Sequence, residues 1–214
     1  MTYESAKEWL FGAQMFGIKL GLEHPHQLLA ALDQPEKQLR FLHVAGTNGK
    51  GSICSFAACI LREAGLQTGL FTSPHLMDFR ERMTLNGAMI SPQEMIEGVE
   101  RLHEITEMWD SPPTFFELTF ALALDWFARC QAEIVVLETG MGGRLDATNV
   151  VHPIVTVIAP ISLDHGQWLG GSLEDIAKEK AGIIKRGVPL ILLPQPEGVR
   201  QVILRRAEEL GAPV

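Results

Sequence analysis

A lysine and a serine hydroxyl set among three glycines, in the run Gly46-Thr47-Asn48-Gly49-Lys50-Gly51-Ser52, have the makings of a phosphate cradle. Glycines let backbone N–H groups curl toward an anion, and a helix that starts there adds unpaired donors and a positive dipole end. Lys50 can reach β- and γ-phosphates, and the Ser52 hydroxyl can sit on a magnesium ion. The run departs from the general pattern G-x-x-x-x-G-K-[ST]. Val44 stands where the first glycine falls, Gly51 where Ser or Thr is usual, and the hydroxyl arrives one residue late. The bland alternative is a glycine-rich turn without a ligand, against which stands the conformational entropy that glycines on both sides of a lysine lose on folding.

Other residues could complete such a centre. Glu138 ends the apolar run Ile134-Val-Val-Leu137 and opens Glu-Thr-Gly-Met-Gly-Gly-Arg-Leu-Asp146. An acid at a strand tip beside a phosphate loop is well placed to hold magnesium; the bland alternative is that it caps a helix or pairs with Arg144. Gly140, Gly142 and Gly143 suggest a tight turn or close backbone approach. Asp164-His165 follow the next strand, which makes His165 a candidate metal ligand. Lys180 reads, with Lys178 and Lys185, as one lysine of a solvated helix face. Thr72-Ser73-Pro74-His75 offers hydroxyls and an imidazole to a substrate, or is simply a turn. Arg80, Glu81 and Arg82 read as surface charge.

The elements that must position these groups alternate. Residues 3–32 are helical around a loop at Gly17–Pro25, and Pro35 leads into a strand at Phe41–Val44. Apolar residues Ile53, Phe56, Ala57, Ile60 and Leu61 mark one helix face after the glycine loop, and Gly65 stops that helix. Gln67–Thr72 is a second strand closing a βαβ unit, and a hairpin over Arg82–Ile90 turns at Asn86-Gly87. Ser91-Pro92-Gln93-Glu94 starts a helix to about Trp109, and Thr114 with Glu117 starts another to about Cys130. Ile134–Leu137 and Ile154–Ala159 are β-branched runs of the kind buried on both faces of a parallel sheet. Helix Ser172–Ile184, strand Pro189–Leu193 and helix Glu197–Leu210 follow. The alternation predicts an α/β fold of the P-loop NTPase type, a doubly wound, mostly parallel sheet with flanking helices. In such a sheet ligands bind outside the carboxyl ends of the strands, the edge reached by Gly46–Ser52, Thr72–His75, Glu138–Asn149 and Pro160–Gly170.

Composition sets bounds. The 214 residues suit one large domain or a little more, and 46% apolar residues suffice for a core. A net charge of −8 argues against a nucleic-acid partner, which would need a basic stripe. No run approaches the ~18–20 apolar residues of a membrane span. Three cysteines without paired spacing read as buried free thiols in a reducing cytoplasm. The chain stops at Gly211-Ala212-Pro213-Val214, where a strand is due, so a truncated chain is expected.

Six segments, in order, carry a resemblance: His43–Ser52, Phe71–His75, Phe79–Arg82, Glu138–Asn149, Leu163–His165 and Glu179–Ile184. From about Phe16 onward they closely resemble the folylpolyglutamate synthase/dihydrofolate synthase family of the Mur ligase superfamily. Gly-Lys-Gly-Ser is that family's own loop, whereas cell-wall Mur ligases typically continue Gly-Lys-Thr-Thr. The resemblance implies the N-terminal ATPase domain, of Mur ligase central-domain type, of an ATP-dependent amide ligase. In that reaction the carboxylate of dihydropteroate or a folate takes the γ-phosphate of ATP, and the amine of L-glutamate displaces phosphate from the acyl phosphate. By motif, Gly46–Ser52 hold ATP, Ser52 and Glu138 one magnesium, and His165 with Glu138 a second. Lys180 matches a lysine that becomes carbamylated, and Thr72–His75 with Arg82 match the folate pocket. A monomer is implied. The family's C-terminal domain, with its Asp-Gly-Ala-His-Asn-like segment, has no match in the chain, so little turnover by these 214 residues alone is expected. The rival readings are a cell-wall Mur-type ligase and a P-loop ATP-binding module without ligase chemistry.

Overall fold

The computed structural model describes residues 1–17, 19, 21–163 and 171–214. Its frame is a seven-stranded sheet in the order β4-β3-β2-β5-β1-β6-β7. The strands are β1 (Phe41–Ala45), β2 (Thr68–Phe71), β3 (Met83–Leu85), β4 (Ala88–Met89), β5 (Ile134–Glu138), β6 (Val155–Ile158) and β7 (Leu190–Leu192). β2, β5, β1, β6 and β7 run parallel, and the β3–β4 hairpin adds two antiparallel strands beside β2. Asn86 and Gly87 both take positive φ, 50° and 85°, as the hairpin turn requires. The expected mostly parallel, doubly wound sheet is the fold observed.

The strand order goes beyond what the sequence reading specified. β1 and β2 belong to one βαβ unit, yet β5 lies between them. Every residue of β5 is buried, and a strand apolar on both faces belongs at the centre of a sheet covered on both sides.

Seven α-helices are described: α1 (Tyr3–Gly12), α2 (Glu23–Ala31), α3 (Lys50–Glu63), α4 (Pro92–Thr106), α5 (Phe115–Arg129), α6 (Leu173–Ala181) and α7 (Glu197–Glu209). Strand alternation sorts them. Phe41, Phe71, Val135 and Leu137 face the cluster that holds α1, α2, α4 and α5. Val44, Val136 and Val157 face α3 through Cys54. Ile158 and Leu190 pack on α6 and α7. The Ser91 and Thr114 caps form as the sequence predicts: Glu94 and Glu117 each accept from the cap backbone N–H, at 2.9 and 2.6 Å. α2 begins at Glu23 rather than His26, with Pro25 in the first turn, where its missing N–H has no partner to lose.

All three cysteines are free thiols as expected, but the expected burial holds only for Cys54; Cys130 is half-buried and Cys59 exposed. Five residues along a helix turn a side chain about 140° around its axis, so Cys54 facing the sheet puts Cys59 toward solvent. Among the described residues no helix is long and apolar enough to cross a membrane.

Candidate active site

The glycine loop leaves β1 and enters α3 at the carboxyl edge of the sheet. Its first part is anchored: the amides of Thr47 and Asn48 donate to the Pro160 carbonyl at 3.0 and 3.2 Å. Thr47 Oγ1 donates to the Ser162 carbonyl and Asn48 Nδ2 to Ser162 Oγ, at 3.2 and 2.9 Å. Thr47 and Asn48 therefore shape the loop against the β6 exit. The amides of Lys50, Gly51 and Ser52 open the first turn of α3 behind Gly49, where the helix itself offers no acceptor. These are the donors that can face phosphate.

Gly46 is fixed by its surroundings. At φ 151° it sits where L side chains rarely go, and a Cβ there would lie 2.5 Å from Ala159 Cβ. Gly46→Ala is expected to destabilise the chain by about 2–4 kcal/mol, combining overpacking with backbone strain. Urea unfolding measures this; an unchanged midpoint would mean that the loop stands clear of β6.

Glu138 emerges from β5 into the space beside this loop with its side chain 5% exposed, and its Oε1 lies 3.9 Å from Lys50 Nζ. Its Oε2 accepts from the Ser73 amide at 3.1 Å. Burial raises the pKa of this carboxyl above the usual value, outweighing the Ser73 N–H and the Lys50 and Arg82 charges. A desolvated carboxylate with so little compensation is one that a cation would stabilise. The alternative pairing with Arg144 does not occur: Arg144 bonds Glu179 through Nε and Nη2, at 3.0 and 2.9 Å.

Two residues read from sequence as surface charge are buried. Lys180 is 4% exposed, and its Nζ donates to the Gly46 carbonyl at 2.8 Å. The cause is close approach of the β5 loop to α6, since a Cβ on Gly143 would lie 2.7 Å from the Glu179 carbonyl oxygen. This contact pulls α6 onto the site with Lys180 inward and leaves Lys178 outside with Asp175. Arg82 is 8% exposed; its Nε donates to His75 Nδ1 at 2.8 Å, and its guanidinium lies 5.2 Å from the Phe115 ring centroid. Burial, then the Arg82 charge, lowers the pKa of His75, which accepts at Nδ1 as a neutral ring. Arg80 stays with Asp78 near the surface.

Lys50, Ser73, Pro74 and Arg82 line one cleft of about 410 Å³. Thr72 lies behind it, its amide donating to the Arg82 carbonyl. Of the rest of the lining, the β5 loop was expected at this edge, but the two aromatic rings of α5 were not singled out from sequence. That lining comprises Phe115 and Phe116 at the start of α5, and Gly140, Met141, Leu145 and Asp146 of the β5 loop. Thr114–Glu117 carried a helix-start signal that concealed its two aromatic rings. His165 and Asp164 lie outside the described residues. Among the described residues no group of three or more His, Cys, Asp and Glu could hold a metal ion. The donors that fit are hard oxygens of the magnesium kind, which needs only one or two protein ligands beside phosphate.

The β5 loop is held from beneath by a buried chain. Asp146 accepts from the amides of Met141 and Thr148, at 2.8 and 3.0 Å, and from the Thr148 hydroxyl. His43 Nε2 lies 2.9 Å from that hydroxyl. The hydroxyl proton goes to Asp146, so His43 must donate from Nε2. Burial first, and Lys185 second, push His43 from 6.5 down to about 3. The unfolded chain thus binds the extra proton, and stability present above pH 6.5 is lost as pH falls toward 3. The loss is about 1.4 kcal/mol per pH unit for this group. Acid titration of wild type against His43→Gln measures it; parallel curves would show that His43 carries no such linkage.

The Mur ligase middle domain matches residues 44–193. The dihydrofolate synthase/folylpolyglutamate synthase of Bacillus subtilis strain 168 is 46% identical over 218 residues, covering 99% of this chain and 50% of that protein. The E. coli FolC structure in complex with DHPP and ADP superposes with a TM-score of 0.88 at 37% identity, covering 97% of this chain and 50% of that one. An FPGS–AMPPCP–folate complex superposes with a TM-score of 0.91 at 34% identity, covering 99% and 53%. The chain spans about half the length of each of these three relatives.

Proposed function

The chain belongs to the Mur ligase family, and from that premise we propose that it supplies the nucleotide- and folate-binding part of an ATP-dependent ligase that adds L-glutamate to dihydropteroate, folates or both. The observation that carries the proposal is convergence. The phosphate-loop lysine, a buried arginine and two aromatic rings line one cleft at the carboxyl edge of the sheet, with the desolvated Glu138 carboxylate 3.9 Å from that lysine. Relatives solved with ADP, AMPPCP, folate and DHPP support the same substrate classes.

In this reading Lys50 and the first amides of α3 hold the β- and γ-phosphates of ATP. Arg82, fixed by His75 and Phe115, neutralises the acceptor carboxylate as it approaches the γ-phosphorus. Carboxylate oxygen attacks phosphorus, ADP leaves, and the amine of glutamate then displaces phosphate from the acyl phosphate. The Phe115–Phe116 wall and the Ser73-Pro74 turn enclose the flat pteridine and benzoyl rings. Ser52 and Glu138 would hold one magnesium ion; Glu138, His165 and a carbamylated Lys180 would hold a second. Such ions supply positive charge that shields the anions from each other. A cytoplasmic, monomeric protein belongs to the proposal; its free thiols support the reducing compartment.

Calorimetry with Mg-ATP and with dihydropteroate, run beside an ADP-release assay with L-glutamate, tests the proposal. Binding of both ligands is expected, and any turnover should require both co-substrates. ATP hydrolysis indifferent to dihydropteroate, folate and glutamate would replace it with a P-loop module of another kind.

A further inference from the structure

A cavity of about 440 Å³ opens between α6 and α7, and among the described residues it shares no lining residue with the catalytic cleft. Four cations edge it: Arg144 from the β5 loop, Lys178 from α6, and Arg205 and Arg206 from α7. Val202, Arg205, Arg206 and Glu209 are spaced i, i+3, i+4 and i+7, so one face of α7 supplies them all. The uncharged lining is Val202 with Ala181 and Gly182. Gly182 lets Arg144 in, since a Cβ there would lie 2.4 Å from Arg144 Cβ where the β5 loop meets the end of α6. We propose that this cavity is a binding site for a short oligocarboxylate chain, with methylenes against Val202 and carboxylates on the four cations.

The chain carries a net charge of −8, yet four of its 18 lysines and arginines converge here, with Glu209 the only acid of the lining among the described residues. Helix C-termini favour cations, which accounts for Lys178, Arg205 and Arg206 but not for Arg144, which comes from a loop. The partners these cations already have are weak competitors. Lys178 Nζ meets Asp175 at 2.9 Å and Arg206 Nη1 meets Glu209 at 3.1 Å, with those acids 46% and 55% exposed. Pairs so open to water contribute little, so a ligand carboxylate can exchange for either. Arg144 holds Glu179 through Nε and Nη2, which leaves Nη1 to donate. Arg205 has no hydrogen-bond or ion-pair partner among the described residues. The apolar strip between the cations sets the ligand class, because methylenes that separate carboxylates can cover Val202. A phosphate cluster is better served by backbone N–H groups at a helix start, and the cavity lies toward the C-terminal ends of both helices.

Calorimetric titration of the chain with γ-linked and with α-linked tetraglutamate, without nucleotide or magnesium, tests the site. One-to-one binding that added salt weakens is expected. Lys178→Gln combined with Arg205→Gln, two exposed changes that leave the fold intact, should weaken it about tenfold, each lost contact being worth up to about fivefold. Lys50→Ala should change it by less than about twofold, because the phosphate loop is a separate site. Tighter binding of the γ-linked chain would identify the source as a chain of the kind the proposed ligase builds, and tighter binding of the α-linked one an acidic peptide. Either result, or equal binding, upholds an oligocarboxylate site. Binding lost in Lys50→Ala but kept in the double variant would put the ligand on the phosphate loop and overturn the proposal, as would no binding by the wild type. ATP and pterins take no part in the titration, so either failure leaves the ligase reading as it stands.

Discussion

Glu138→Gln is expected to weaken Mg-ATP binding about 100-fold while making the ligand-free chain more stable. The expected rise in melting temperature is about 2–4 °C, the shift that 1 kcal/mol produces at this size. Both effects follow from burial at the tip of β5. Burial raises this carboxyl's folded-state pKa above its unfolded value. Its contribution to stability is thus greatest at low pH and is lost as pH rises through the folded value. At neutral pH the ionised carboxylate is a strain on the empty fold, relieved when cation and nucleotide bind. Glutamine keeps an acceptor for the Ser73 amide and removes the charge. Lys50→Ala should also weaken nucleotide binding but lower the melting temperature, because it takes away a cation 3.9 Å from that carboxylate. Calorimetric melting of the two variants separates the signs. A lower melting temperature for Glu138→Gln would mean that Glu138 is a structural anchor for Lys50 and Ser73.

What could be read from sequence was what local chemistry decides. The β-branched runs at Ile134–Leu137 and Ile154–Ala159 could only be interior strands, and the capping boxes at Ser91 and Thr114 fix two helix starts. The strand order was not legible, since β5 entering between β1 and β2 depends on pairing across more than sixty residues. The site divides the same way. Gly46–Ser52 and Glu138 announce themselves because glycines around a lysine and an acid on an apolar strand are locally unfavourable. Arg82 and Lys180 do not. Arg82 differs from Arg80 only because a 3-10 turn at Phe79–Arg82 sends one to Asp78 and the other to His75. Phe115 and Phe116 look like ordinary helix apolar residues until the β5 loop packs beside them, with Gly140 against the Phe116 ring.

Lys180→Met is the expected severe loss on the α6 side, and it acts twice. Methionine fills much of the volume of the lysine stem but cannot donate to the Gly46 carbonyl. An acceptor left without its donor beneath the phosphate loop costs about 1–3 kcal/mol, seen as a drop of about 2–12 °C in melting temperature. The second loss is chemical. Carbamylation of Nζ keeps one N–H, so the tether to Gly46 can survive while the nitrogen gains a carboxylate able to ligate magnesium. The proposed second metal site therefore depends on dissolved carbon dioxide as well as on Lys180. Mg-ATP affinity of the wild-type chain should rise when bicarbonate is added to carbon-dioxide-free buffer, and that of Lys180→Met should not respond. Loss of stability in Lys180→Met with a wild type indifferent to bicarbonate would leave Lys180 as a structural tether and remove the carbamate from the mechanism. A bicarbonate response in both proteins would place the effect elsewhere in the chain.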